Sequence, residues 1–458
     1  MKRLVVLFWA LMPLLVSAQE LAGRWSGRLA VGDQKLRMIL HLTRQGEGWR
    51  ATMDSPDQGA RGIPFDSVAV QGSALSLWAQ ALQMRLDLVA WGADHLMGNF
   101  SQGGWSTSLL LAREEEQLKR PQEPRPPFPY RSVEVSFAGH DGAVQLHGTL
   151  TLPEGAGRYP AVVLVTGSGT QNRDEELFDH KPFLLLADRL TRAGYAVLRY
   201  DDRGYGASPE EVERLRHTTT FDLMKDALGA VDWLAEHPEI DASHIGILGH
   251  SEGGTIAFLA AAESPKVAFV VSLAGMMVSG AALLVTQNQA VMRLQGVPEQ
   301  MVTDYGEALR RLYGAWQRLS PAEVVATKEQ LAAEAVAGLS LPEPMRKNLC
   351  ALAEMANNSW LYGFVRLDPA EAIRKLGSRP CWAINGSKDV QVDAEQNLAR
   401  LRALTADAPT VQTKCYEGLN HLFQPCTTGA VAEYGEIETT LAEEVLSDLV
   451  QWLDGHIR

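Results

Sequence analysis

Ser251 stands in the stretch Gly249-His250-Ser251-Glu252-Gly253-Gly254, between an apolar run at 245–248 and a helix-like run at 255–262. A serine on a strand–turn–helix junction is a candidate nucleophile. Small flanking residues let the turn close, the hydroxyl projects from the end of the strand, and the next N–H lies at a helix N-terminus. The pentapeptide G-x-S-x-G arises by accident often enough that its weight rests on those flanks and on partners further along the chain. A serine hydroxyl is a poor nucleophile until a base takes its proton and an acid orients that base. Both appear later, each just past a predicted strand. Gly386-Ser387-Lys388-Asp389 follows a strand at 381–385, and Gly418-Leu419-Asn420-His421 follows one at 411–416. The order Ser251, Asp389, His421 is the order such strand-end loops require for acyl transfer. Asp393 is a second candidate for the acid, further from the strand end.

Acyl transfer also needs two N–H donors for the developing oxyanion. One is the backbone of Glu252; Thr166-Gly167-Ser168-Gly169, directly after the strand at 161–165, assigns the second to the backbone of Ser168. His250 is expected to pack or hydrogen-bond locally. Asp201-Asp202-Arg203, past another strand end, is expected to form buried ion pairs that stiffen the site. The side chain of Glu252 could meet a substrate amine, though its backbone is the surer contributor. The remaining histidines show no partner pattern and default to structural or surface roles.

These residues need a scaffold. From 131 to the C-terminus, apolar strands alternate with helices, the mark of a mostly parallel sheet covered on both faces, hence an α/β architecture for 131–458. Between 275 and 379 the alternation gives way to helical pattern only, which predicts a helical cap inserted over the C-terminal edge of the sheet, where α/β sites lie. Ahead of it, 20–113 reads as about eight short alternating strands, at 23–30, 35–43, 48–53, 64–70, 74–79, 84–90, 95–100 and 105–111, predicting a small all-β barrel or sandwich. Its tryptophans, at 25, 49, 78, 91 and 105, could stack on a sugar or lipid, but barrel core and rim is the plainer expectation. The stretch 114–130, three glutamates followed by dense proline, reads as a stiff linker.

A length of 458 residues predicts two or three domains, and a formal charge of −13 argues against nucleic acid or an anionic membrane as the main partner. Lys2 and Arg3 before an apolar run at 4–16 and a small-residue site ending at Ala18 predict a signal peptide over 1–18, hence export to the periplasm or beyond, with no membrane span left in the mature chain. The apolar run falls short of the roughly 20 residues a span requires. Cysteines 350, 381, 415 and 426 lack metal-ligand spacing and read as structural; an oxidising compartment permits a bridge, with three full pairings open. No metal or organic cofactor is implied.

Gly-His-Ser-Glu-Gly-Gly at 249–254, Asp-Asp-Arg-Gly-Tyr-Gly-Ala-Ser at 201–208, Gly-Ser-Lys-Asp at 386–389 and Gly-Leu-Asn-His at 418–421 resemble the elbow, arginine loop, acid loop and histidine loop of the α/β-hydrolase superfamily. The likeness is greatest to bacterial exported esterases of the serine aminopeptidase-like and dienelactone hydrolase-like branches. It implies acyl-enzyme chemistry on Ser251, with His421 as base and then acid and Asp389 orienting it. One departure is Thr166, which stands where many relatives carry histidine. The expected activity is a secreted serine carboxylesterase on small or medium acyl esters. An exported peptidase, marked by an acidic pocket for a free amine, and a thioesterase are the alternatives; an inert hydrolase fold whose β unit binds a ligand is opposed by the intact triad.

Overall fold

A computed structural model describes residues 21–31, 34–46, 48–58, 60–113, 120–210 and 212–457. The expected signal peptide, 1–18, and residues 114–119 of the expected linker lie outside these. The chain forms two compact units, one comprising the residues up to Lys119 with Leu177–Asp179, the other the rest.

The first unit is one antiparallel sheet of nine strands: β1 (Gly23–Val31), β2 (Gln34–Gln45), β3 (Gly48–Ser55), β4 (Ala60–Pro64), β5 (Ser67–Gln71), β6 (Ala74–Ala79), β7 (Met84–Ala90), β8 (His95–Gln102) and β9 (Trp105–Ala112). Their spatial order is β4-β3-β2-β1-β9-β8-β7-β6-β5, so β4 and β5 are the two edges. A flat sheet of this size would be almost 40 Å wide at about 4.8 Å per strand. Only Phe65 and Asp66 join the edges, a reach of roughly 11 Å. The sheet must therefore curl to bring its edges near each other, and it does: Phe65 N donates to Ala51 of β3 and Asp66 N to Trp78 of β6. With β4 and β5 unpaired to each other among the described residues, the outcome is a curled half-barrel rather than a sandwich.

The sequence pattern reads 64–70 as a single strand; the structure breaks it at Phe65-Asp66. Pro64 has no N–H to carry a ladder onward, and the Asp66 carboxylate turns to accept from Gln80 N. Inside, Trp25 is fully buried under the Arg113 guanidinium, with its indole N–H donated to Leu21 O. Trp78, Trp91 and Trp105 are on the exposed surface.

The second unit carries β10 (Tyr130–Ala138), β11 (Gln145–Pro153), β12 (Tyr159–Val165), β13 (Ala196–Tyr200), β14 (Ile240–His250), β15 (Phe269–Leu273), β16 (Cys381–Gly386) and β17 (Val411–Tyr416), in the order β10-β11-β13-β12-β14-β15-β16-β17. The β10–β11 hairpin is antiparallel and joins β13 antiparallel; from β13 to β17 all pairs are parallel. Uniformly apolar strands follow from two buried faces. In β12, Val163 points into a core with Leu228, Val231, Ile256 and Phe258, from helices Thr220–Glu236 and Glu252–Glu263. Its neighbours Val162 and Leu164 point the other way, onto Phe183, Leu186, Leu446 and Leu449 of helices Pro182–Arg192 and Glu443–His456. Each such buried side chain contributes about 1.5–3 kcal/mol.

Between β15 and β16 the chain makes only helices, among them Gly280–Leu294, Glu299–Trp316, Glu343–Glu354 and Ser359–Arg366. They share a core of their own around Leu309, Leu312, Trp316, Leu349 and Val365. From Arg120 the proline-rich stretch is tied down within this unit: Arg120 donates to Ile437 O, and Gln122 exchanges hydrogen bonds with Thr440 and Leu441. Among the described residues no helix is long and apolar enough to cross a membrane.

Candidate active site

Strand β14 delivers its last residue, His250, to the sheet edge, and Ser251 follows with φ 54° and ψ −119° before the helix Glu252–Glu263 begins. Such a backbone costs a non-glycine residue about 1–3 kcal/mol and persists only when its surroundings impose it. Here they do. Ser251 N donates to Leu273 O of β15, and Ser251 O accepts from Gly254 N. The turn is also too tight for side chains beside it. A Cβ on Gly249 would lie 2.0 Å from Gly253 O, and one on Gly253 2.1 Å from Val165 O.

At the end of β16, the Asp389 carboxylate turns inward, and its Oδ1 accepts from Gln391 N and Val392 N at 2.8 Å each. Its Oδ2 meets His421 Nδ1 at 2.7 Å, both side chains almost fully buried. A carboxylate accepts only, so this contact assigns the proton to Nδ1 and leaves Nε2 as the acceptor a general base needs. The His421 loop is shaped by Asn420, fully buried, whose Oδ1 accepts from Leu422 N and Gln424 N. Asp393 is elsewhere occupied: it caps the helix Ala394–Leu404 by accepting from Gln396 N. The His421 ring lies 4.8 Å from that of His250, beside Ser251. Among the described residues the Ser251 hydroxyl makes no hydrogen bond to His421.

The loop after β12 passes directly over the elbow: a Cβ on Gly167 would sit 3.2 Å from Ser251 Cβ. Thr166, the departure from the resembled family, does not leave the loop loose. Its hydroxyl lies 2.9 Å from both oxygens of buried Asp202, which also accepts from Gln171 N. Burial pushes the Asp202 carboxyl well above the usual range. Gly167 N is taken by Glu175 Oε1 at 2.8 Å, so it is no oxyanion donor. Ser168, exposed, follows Gly167 in this loop, and Glu252 opens the helix directly after Ser251.

The ion pairs expected at 201–203 divide in two. Arg203 grips Asp226 through Nε and Nη2 at 2.7 Å each, both buried, and the pairing holds the guanidinium charged although burial opposes it. Asp201 accepts from Arg173, which reaches on to Glu134 and Thr149. Neither group touches the triad. The Glu252 side chain is also accounted for: it accepts from Thr220 Oγ1 at 2.7 Å and from Trp360 Nε1 of the cap at 3.0 Å, and burial raises its pKa. A carboxyl whose oxygens already accept from Thr220 and Trp360 has little capacity left for an ammonium group.

Two residues play parts that the sequence does not signal. His250 is not engaged locally: Nδ1 lies 2.9 Å from Glu175 Oε1, 75 positions away, and Nε2 3.1 Å from His421 O. Glu175, buried and at φ 50°, has no motif to announce it. The four cysteines are free thiols in the structure.

The family model described as serine aminopeptidase, S33, matches residues 181–424, more than half of the chain. Esterase EstD of Thermotoga maritima is 30% identical over 288 residues, 63% of this chain and 60% of the relative. Acyl-coenzyme A thioesterase 3 of Mus musculus is 27% identical over 131 residues, 29% of this chain and 26% of the relative. The chain thus spans about three fifths of the first relative's length and a quarter of the second's. Among solved structures, the Pyrococcus furiosus esterase Pf2001 is 16% identical with a TM-score of 0.45, covering 72% of this chain and 92% of that one.

Proposed function

This chain belongs to the serine aminopeptidase S33 family of the α/β-hydrolase superfamily, and from that premise we propose that it is an exported carboxylesterase cleaving small or medium acyl esters through a Ser251 acyl-enzyme. The observation that carries the proposal is the buried Asp389–His421 couple beside a serine held at positive φ on a strand–helix junction.

In the proposed cycle Ser251 Oγ attacks the ester carbonyl while His421 Nε2 takes its proton. Asp389 stays ionised and compensates the imidazolium. Negative charge on the carbonyl oxygen is met by the N–H groups of Ser168 and Glu252, the latter at a helix N-terminus. Collapse of the tetrahedral intermediate expels the alcohol, which receives the proton from His421, and leaves the acyl group on Ser251. Water, deprotonated by His421, then repeats the sequence and releases the acid. The cap helices between β15 and β16 bound the pocket and so set which acyl groups fit.

Ester rather than amide cleavage is supported by Glu252. Its carboxyl, the one that the elbow sequence offers to a free amine, is engaged by Thr220 and Trp360. Export rests on Lys2, Arg3 and the apolar run at 4–16.

The test uses protein recovered from the periplasmic fraction, whose N-terminal residue reads the cleavage, with Gln19 expected. A chain-length series of p-nitrophenyl esters is assayed beside aminoacyl p-nitroanilides and an acyl thioester. Ester turnover with an optimum at short or medium chain is expected. Anilide turnover without ester preference replaces the proposal with the aminopeptidase reading, and a thioester preference replaces it with the thioesterase.

A further inference from the structure

Resting on the reading of Ser251 and His421 as nucleophile and base, we propose that His250 is held as a doubly protonated imidazolium by Glu175, and that this buried ion pair is the positioning device that locks oxyanion loop, nucleophile elbow and histidine loop into one register.

Donor and acceptor roles place the protons. His250 Nε2 faces the carbonyl oxygen of His421 at 3.1 Å, and a carbonyl only accepts, so Nε2 carries a proton. Nδ1 faces Glu175 Oε1 at 2.9 Å, and one proton must lie between them. It resides on the more basic partner, and imidazole, with an ordinary pKa near 6.5, outranks a carboxyl near 4.3. The same Oε1 also accepts from Gly167 N at 2.8 Å, which favours negative charge on that oxygen. Both ring nitrogens are then protonated and the carboxylate is ionised.

The surroundings agree. Glu175 and His250 border a cavity of about 10 Å³ whose other walls include Phe183, Leu186, Leu273 and Phe423. An isolated charge would be costly there, and a hydrogen-bonded pair is the form in which charge persists. The charged and titratable groups around the His250 ring are Glu175, the His421 imidazole at 4.8 Å and the more distant Asp389; Asp202 lies beyond Glu175. Burial alone would lower the His250 pKa; the Glu175 carboxylate, together with the His421 carbonyl and the Asp389 charge, outweighs it, so the value is raised.

Its position makes the pair consequential. Glu175 holds the oxyanion loop through Gly167, His250 is covalently next to Ser251, and His421 O belongs to the catalytic base itself. Three loops from β12, β14 and β17 thus meet on one ion pair. A histidine whose folded pKa is raised contributes its stabilisation fully below the ordinary value near 6.5 and loses it as pH rises through the folded value. The register should therefore loosen on the alkaline side.

The test reads protonation directly and then its consequence. In ¹⁵N-histidine-labelled Ser251→Ala protein, the His250 ring, assigned by correlation from its own backbone amide, is expected to show two protonated nitrogens at pH 7.5. An unperturbed imidazole there is about 10:1 neutral. A ring with one bare nitrogen overturns the proposal. In Glu175→Gln the second proton is expected to be gone at pH 7.5. In the active enzyme, kcat on a good ester should show an alkaline limb. Glu175→Gln should shift that limb toward the ordinary histidine range and lower kcat at pH 7.5 by about 10²-fold, the cost of a roughly 1 Å misplacement, with KM little changed. A kcat loss with an unmoved limb reduces Glu175 to a merely structural role and also overturns the proposal. Should no ester be turned over, the esterase reading fails while the spectrum still decides the state of His250.

Discussion

Ester turnover by Ser251→Ala is expected to fall on the order of a million-fold in kcat, the loss seen when the nucleophile of a Ser-His-Asp unit is removed. Oxyanion donors and the pocket survive the change, so the residual rate stays above the uncatalysed one by about 10³–10⁴-fold. Little else should change. The hydroxyl makes no hydrogen bond to His421, and alanine meets the same backbone constraint at φ 54° as serine does. The thermal midpoint should therefore match that of the parent. Initial rates across enzyme concentrations, with the midpoint measured on the same preparation, check both halves. A variant that keeps its midpoint and more than a thousandth of parental kcat places the nucleophile elsewhere.

Asp389→Asn is expected to lower kcat by about 10⁴-fold without disturbing the fold, and the structure supplies the reason. Asp389 Oδ1 accepts from two backbone N–H groups, Gln391 and Val392. An asparagine must put its amide oxygen there, since its NH₂ would face two donors. The NH₂ is left pointing at His421 Nδ1, which must then present a lone pair. The proton moves to Nε2, and a protonated Nε2 cannot accept from Ser251. Substrate binding does not depend on that tautomer, so KM should hold while kcat falls. Asp393→Asn is the control: its side-chain oxygen still caps Gln396 N, and activity should stay within about twofold of the parent. The opposite pattern, with Asp393→Asn the damaged variant, would reverse the assignment of the acid.

Chain geometry decides which residues were legible in the sequence. Ser251, Asp389 and His421 each lie one to five residues past a strand, two of them buried and largely apolar at their ends and the third, Val411–Tyr416, a half-exposed edge strand, so pattern locates them at the same end of a parallel sheet. Glu175 does not. It sits in an irregular loop at positive φ, its partners are Gly167 at close range and His250 far along the chain, and no residue spacing encodes a contact made by tertiary folding. The contact of Glu252 with Trp360 is hidden for the same reason, since a helical pattern says which face is apolar but not which indole N–H crosses to the elbow. Alternation in the first unit reveals strands but not their ends. It runs through Pro64 to Val70 without a break, whereas the fold needs Phe65 and Asp66 to bridge two sheet edges. The role of Thr166 likewise becomes clear only with buried Asp202 in place.

Covalent trapping reads the nucleophile itself. Protein treated with a fluorophosphonate, which phosphonylates an activated serine and mimics the tetrahedral oxyanion, is weighed intact and mapped by peptide. One adduct per chain on the peptide carrying Ser251, absent from Ser251→Ala and formed far more slowly in Asp389→Asn, is the predicted result. An adduct on another serine, or none under conditions where esters are turned over, would contradict an acyl-enzyme on Ser251.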